Sequence, residues 1–204
     1  MIEKRFSVMP PHGILEVICG PMFSGKSEEL IRRLRRAKIA KHITLSFKPH
    51  IDNRYGLESI VSHDGNKMEA QALTNINDIL TIAESKQAQV IGIDEAQFFP
   101  KELMNVICTL VNNNKRVIVA GLDLDFRGVP FGCMPLLLAI ADKITKLQAI
   151  CSQCGIDAHY SQRLVNDMPA KWDDPIIKVG AQEAYQARCR NCFIIDKMYA
   201  SLSC

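Results

Sequence analysis

The chain has few aromatic residues, 6% of 204 with a single tryptophan, and no large excess of charge of either sign. Lys and Arg number 25 against 22 Asp and Glu, leaving +3 at pH 7. A nucleic-acid binder usually announces itself by a strongly basic domain or stripe, so charge points to no such partner. No segment approaches the ~18 uninterrupted apolar residues of a membrane-spanning helix, and 1–13 lacks an apolar run ahead of a small-residue cleavage site. These absences predict a cytoplasmic protein with no membrane or nucleic-acid partner. Repeats and low-complexity tracts are lacking too. Asp125-Phe126-Arg127-Gly128 fits the D-x-x-G of GTPases, but the Asn-Lys-x-Asp that reads guanine is absent, which argues against a GTPase switch.

What is present is an ordinary globular composition, 48% hydrophobic and 23% charged, enough for one or two domains with a buried core. Apolar, β-branched runs recur at Ile14 to Cys19, Ile43 to Phe47, Val90 to Ile93 and Val117 to Leu122. Segments of helical spacing separate them. In the first, Leu30, Leu34 and Ala37 share one stripe; a second helix is expected over Lys101 to Val111. Continuous apolar strands alternating with helices predict an α/β fold whose mostly parallel sheet is covered by helices, with ligands beyond the carboxyl ends of its strands. After the short run Leu147 to Ile150 the composition turns to Cys, Gly, Pro and polar residues. We therefore expect a nucleotide-binding domain over 1–149 and a small C-terminal subdomain over 150–204.

Gly20-Pro21-Met22-Phe23-Ser24-Gly25-Lys26-Ser27 satisfies G-x-x-x-x-G-K-[ST] and stands after one expected strand and before one expected helix, as a P-loop must. Glycine lets backbone N–H groups converge on phosphates, Lys26 can reach the β and γ oxygens, and the Ser27 hydroxyl can ligate Mg²⁺. The run Arg32, Arg33, Arg35 and Arg36 can be a solvated helix face or a contact for nucleic acid or phosphate; solvated faces are the commoner case.

Val90 to Ile93 ends in Asp94 and Glu95, the way a Walker B strand sets an acid beside Mg²⁺. Asp94 is the metal-side carboxylate, and Glu95 is the candidate general base for an attacking hydroxyl. Ala96 and Gln97 complete the candidate ATP-binding set. Asp-Glu-Ala-Gln also fits a helicase-type box, but a motor ATPase builds its site between two cores, and a single P-loop supplies one. Phe98, Phe99 and Phe126 follow strand ends and are either walls for a nucleobase or ordinary core aromatics.

Of eight cysteines, Cys151, Cys154, Cys189 and Cys192 form two C-x-x-C pairs, each able to clip one side of a tetrahedral metal. Four thiolates leave no open position, so the pattern predicts a structural Zn²⁺. A redox pair would stand near the start of a βαβ unit, which these do not. The interval between the pairs must loop out while its ends stay tied. Cys19, Cys108, Cys133 and Cys204 fit no pair.

Gly20 to Ser27, the Asp94-Glu95-Ala96-Gln97-Phe98-Phe99 box, Phe126 with Pro130-Phe131-Gly132, and the two cysteine pairs together resemble cytosolic, type II thymidine kinases over roughly Gly13 to Cys192. The resemblance implies transfer of the ATP γ-phosphate to the 5′-hydroxyl of thymidine, and of deoxyuridine, giving dTMP for salvage. It further implies Glu95 as proton acceptor, feedback inhibition by dTTP, and a homotetramer. A lasso loop tied by zinc, here about Ser161 to Tyr185, would close over the nucleoside. Within it Ile176, Ile177, Lys178, Val179 and Gly180 would meet the pyrimidine edge through the main chain and Tyr185 would pack on the nucleoside. Met22, Leu122 and Ser161 would neighbour the thymine, Phe98 and Phe126 would flank it, and Asp52 and Arg54 would stand near the metal and phosphates. The segment Val165 to Pro175, with Trp172, is longer than in animal relatives.

Overall fold

The computed structural model describes residues 12–50, 59–61, 67–176 and 184–195. The expected site residues Ile177, Lys178, Val179 and Gly180, together with Asp52, Arg54 and Cys204, lie outside them. The elements run β1 (Ile14–Cys19), α1 (Lys26–Ile39), β2 (Thr44–Pro49), β3 (Ser59–Val61), β4 (Lys67–Glu69), β5 (Gln71–Leu73), α2 (Asp78–Ser85) and β6 (Val90–Ile93). After a 3-10 turn at Ala96–Phe98 come α3 (Leu103–Asn112), β7 (Arg116–Gly121), α4 (Met134–Ile140) and β8 (Lys143–Lys146). The last stretch carries β9 (Ala149–Ile150), β10 (Asp157–Ala158), β11 (Tyr160–Val165), β12 (Met168–Pro169) and β13 (Ala184–Arg188).

Six strands form one sheet in the order β5-β2-β6-β7-β1-β8, and every pairing in it is parallel. Strand alternation sorts the side chains onto two faces. Leu15, Val17, Ile91, Ile93, Val117 and Val119 join α2, α3 and α4 in one cluster. Ile18, Val90, Ile118 and Ala120 meet Leu30, Ile31, Leu34 and Ala37 of α1 in the other. Both faces are thus covered, as near-continuous apolar strands require. Full burial of a side chain such as Leu34 is worth about 1.5–3 kcal/mol. Gly92 is the concession α1 needs: a Cβ there would lie 2.6 Å from the Leu34 Cδ1.

Two departures concern charge. Arg33 does not join a solvated face: its side chain is 13% exposed and pairs with Glu16 at 2.7 Å and Glu29 at 2.8 Å. Glu16 lies buried on the α1 side of β1 and also takes Arg116 at 2.7 Å. Arg32, by contrast, is 58% exposed. The second departure is β8, a charged edge strand with no apolar run to betray it, which closes the sheet beside β1.

Candidate functional site

The parallel sheet brings the ends of β1, β6 and β7 together, with β7 between the other two. At the end of β1, Gly20 takes φ +144, and a Cβ there would collide with the Leu147 carbonyl oxygen beyond β8. Gly25 then adopts a left-handed φ of 81 as it opens α1. Between them the Pro21 carbonyl accepts from the Lys26 Nζ at 2.7 Å and from the Ser24 hydroxyl at 2.8 Å. The loop's own carbonyl thus holds the lysine at the helix N-terminus, where exposed N–H groups and the helix dipole favour an anion. Glu28 and Glu29 in the first turn suit the same dipole.

At the end of β6, Asp94 is buried. Burial first, and the neighbouring Glu95 charge second, push its carboxyl up to about 7, against the lowering effect of hydrogen bonds from Ser27 and the Glu95 N–H and of the Lys26 charge. Asp94 and Ser27 therefore stand near one another, an oxygen pair of the kind that holds Mg²⁺ in P-loop sites. A divalent cation would offset the charge crowding that raises Asp94, so the donor set fits the ion. Glu95 turns into the left-handed region at φ 51 and donates its N–H to the Asp94 Oδ1 at 3.0 Å. A non-glycine residue there costs energy and is a recurrent mark of working sites; here it sends two successive carboxylates different ways.

Gln97 fixes the second of them. Its Nε2 donates to the Glu95 Oε2 at 2.5 Å, and its Oε1 accepts from the Leu122 N–H at 2.9 Å. A buried amide thereby ties the acidic strand end to the end of β7. Glycine makes room: a Cβ at Gly121 would lie 2.7 Å from the Gln97 Oε1, and Gly132, at φ +55, abuts the Gln97 carbonyl.

Leu122 and Met22 are half-buried around this centre. Ser161, on β11, is buried and its Oγ accepts from the Met22 N–H at 2.9 Å. Phe98 is half-buried and meets Phe131 edge-on at 5.5 Å. Phe99 belongs to the core, as its alternative reading had it. Phe126 is buried, with the Arg163 guanidinium 5.0 Å from its ring centre and Arg127 at 5.8 Å. Tyr185 is half-buried on β13, opposite Arg163, and Ile176 is exposed.

The four knuckle cysteines converge. Their Sγ atoms all lie within 4.8 Å of one another, with Cys154 and Cys189 at 3.6 Å. A tetrahedral Zn–S₄ centre needs sulfurs about 3.8 Å apart, so the set fits zinc. Burial raises Cys151, yet hydrogen bonds from the backbone of Cys189, Gln153 and Cys154 bring it down to about 6, while sharing protons with Cys189 and Cys154 drives Cys192 up to about 12. One thiolate forms readily while Cys154 and Cys192 resist, the charge conflict that a divalent ion resolves.

A sequence model of the thymidine kinase family matches residues 13–193. A thymidine kinase of Coprothermobacter proteolyticus (strain ATCC 35245 / DSM 5265 / OCM 4 / BT) is 58% identical over 182 residues, 89% of this chain and 91% of that protein. The chain belongs to the thymidine kinase family. Its type II resemblance holds on the same findings. Among solved structures, a DNA replication initiation factor aligns with a TM-score of 0.42 at 11% identity, over 69% of this chain and 41% of that one. The ATPase DotB of Legionella pneumophila aligns with a TM-score of 0.42 at 15% identity, over 64% and 35%. Neither likeness informs the function of this thymidine kinase. Among its described residues, no helix is long and apolar enough to cross a membrane.

Three contacts of this thymidine kinase had no sequence signal. Asp125 accepts from the N–H groups of Arg127 and Val129 and pairs with the Arg127 side chain at 2.6 Å. Arg127 lies 5.4 Å from the Trp172 ring, so the acid and the lone tryptophan both brace the turn that carries Phe126. Asp123, also buried, pairs with Lys146 at 2.9 Å across the end of β1. The D-x-x-G pattern has this structural use.

Proposed function

We propose that the chain is a thymidine kinase that transfers the γ-phosphate of ATP to the 5′-hydroxyl of thymidine, giving dTMP for DNA precursor salvage. The 58% identity to a thymidine kinase across nine-tenths of both chains carries this reading. Deoxyuridine, which lacks only the thymine methyl, is the second substrate.

In this reading Gly20 to Ser27 holds the triphosphate, and Lys26 leaves the Pro21 carbonyl for the β and γ oxygens. Ser27 and Asp94 hold Mg²⁺, which when bound neutralises charge developing on the transferred phosphoryl group. Glu95, aimed by its left-handed backbone and by Gln97, accepts the 5′-hydroxyl proton. Met22, Phe98, Leu122, Phe126, Ser161 and Tyr185, with 176–180, hold the nucleoside. Cys151, Cys154, Cys189 and Cys192 hold a structural zinc that ties the ends of a lid over 161–185. A lid matters because phosphoryl transfer relies on positioning, and water in an open site would compete as acceptor. The division at 149/150 separates the phosphate-binding sheet from this zinc-and-lid region. Feedback inhibition by dTTP, a homotetramer and a cytoplasmic location belong to the same reading.

The test is acceptor chemistry. Thymidine should yield a 5′-monophosphate, whereas 5′-deoxythymidine should compete with thymidine for binding and support no turnover. Phosphorylation of 5′-deoxythymidine at its remaining hydroxyl would contradict the assigned acceptor.

A further inference from the structure

β11 lies between the cysteine cluster and the phosphate loop, and its two faces do different things. On one face, Tyr160 stacks on Phe193 at 4.5 Å, and the Gln162 Oε1 accepts from the Ile194 N–H at 2.8 Å, so the strand is held to the chain just past Cys192. β13, its antiparallel partner, leads directly into Cys189. On the other face stand Ser161 and Arg163, both buried. Arg163 reaches Phe126. Ser161 reaches the phosphate loop, 139 residues away in sequence, through a hydrogen bond from the Met22 N–H at 2.9 Å.

Within the loop that bond is well placed to matter. Pro21 has no N–H to give, and the Met22 N–H points to Ser161, so phosphate recognition falls to the N–H groups from Phe23 onward. The peptide held by Ser161 is the one whose Pro21 carbonyl Lys26 and Ser24 rest on. Whatever fixes the 21–22 peptide also fixes where the lysine starts and how the next N–H groups converge.

We propose that Ser161 is a positioning residue for ATP: its hydroxyl pins the Met22 amide and so couples the thymidine side of the site to the grip of the phosphate loop. The coupling rests on the thymidine kinase reading, but the pinning does not. By linkage, thymidine bound against β11 tightens ATP, and ATP tightens thymidine by the same factor. The zinc centre enters as the far anchor of the strand that carries the hydroxyl.

The test compares wild type with Ser161→Ala and with the near-isosteric pair Ser161→Thr and Ser161→Val, which differ only in the hydroxyl. Binding of a non-hydrolysable ATP analogue with Mg²⁺ is measured calorimetrically without nucleoside and then with saturating thymidine. Loss of the hydroxyl, in Ala and Val alike, is expected to weaken analogue binding about fivefold without nucleoside, the worth of one ordinary hydrogen bond. It should also abolish most of the tightening by thymidine, while Thr keeps both. If Ala and Val raise only the KM for thymidine and leave analogue affinity within twofold of the Thr variant, Ser161 is a wall of the nucleoside pocket and the proposal falls. If Ala fails to fold, the Thr and Val pair still decides the matter. Failure of thymidine to be phosphorylated by wild type would overturn the function instead, and the nucleoside-free binding would still report on the pin.

Discussion

Glu95→Gln removes one negative charge and almost nothing else. Glutamine keeps the length and an oxygen that can accept from the Gln97 Nε2, so the tie to Leu122 survives. It occupies the left-handed backbone at φ 51 no less readily than glutamate. The Gln97 contact changes from a charge-assisted hydrogen bond to a neutral one, costing about 1 kcal/mol of stability and lowering Tm by roughly 2–4 °C in a chain of this size. Asp94 loses the neighbouring charge that helps hold its carboxyl near 7 and becomes more fully ionised at neutral pH. Mg²⁺ and ATP should therefore bind at least as well as in wild type. Chemistry should suffer, because general-base help is worth roughly 10²–10⁴ in rate, or about 3–5 kcal/mol of barrier. Analogue binding by calorimetry and kcat at saturating thymidine measure the two halves separately. A kcat within tenfold of wild type would remove Glu95 from the role of base, and loss of ATP binding would mean that its charge organises the phosphate site.

Gly132→Ala should act on the same centre from behind: at φ +55 its Cβ meets the Gln97 carbonyl, so we expect a loss of at least ~2 kcal/mol in urea unfolding and a kcat defect out of proportion to it, since Gln97 aims Glu95. Cys189→Ser should lower bound zinc from one per chain towards none by metal analysis, and should raise the KM for thymidine more than that for ATP; equal rises would count against a zinc-tied lid. Acid stability should depend on Glu29, whose carboxyl is held at about 2 against an ordinary 4.5, first by the hydrogen bond from Arg32 and also by Arg33, with burial opposing. A folded value below the unfolded one means stability that is present above pH 4.5 and drains away as pH falls towards 2. Urea midpoints should therefore drop less between pH 5 and 2.5 in Glu29→Gln than in wild type.

Periodicity found the central strands because they are buried on both faces: β1 and β6 match their apolar runs, while β2 and β7 are shifted by one or two residues at their ends. It passed over β5 and β8 because edge strands are short and part-solvated, as Lys-Ile-Thr-Lys in β8 illustrates. The phosphate loop, the acidic pair and the cysteine pairs were legible because each chemistry fixes its own spacing. Gln97 was legible only as part of a box, since its use depends on a 3-10 turn meeting the end of β7. Arg33 deceived because a buried partner, Glu16, lies 17 residues away on another element. The resemblance set Met22 and Ser161 beside the same base, but the hydrogen bond between them shows only in the folded chain, which brings residues 139 apart into contact.

The protein is an ATP-dependent kinase of the thymidine kinase family, and its acceptor should be thymidine. ATP consumption by the purified protein, with thymidine, other nucleosides or single-stranded DNA as the only addition, tests it most directly. Thymidine, and to a lesser degree deoxyuridine, should elicit turnover matched mole for mole by the 5′-monophosphate. Turnover that rises only with DNA and yields no nucleotide product would mean a DNA-stimulated ATPase and not a nucleoside kinase.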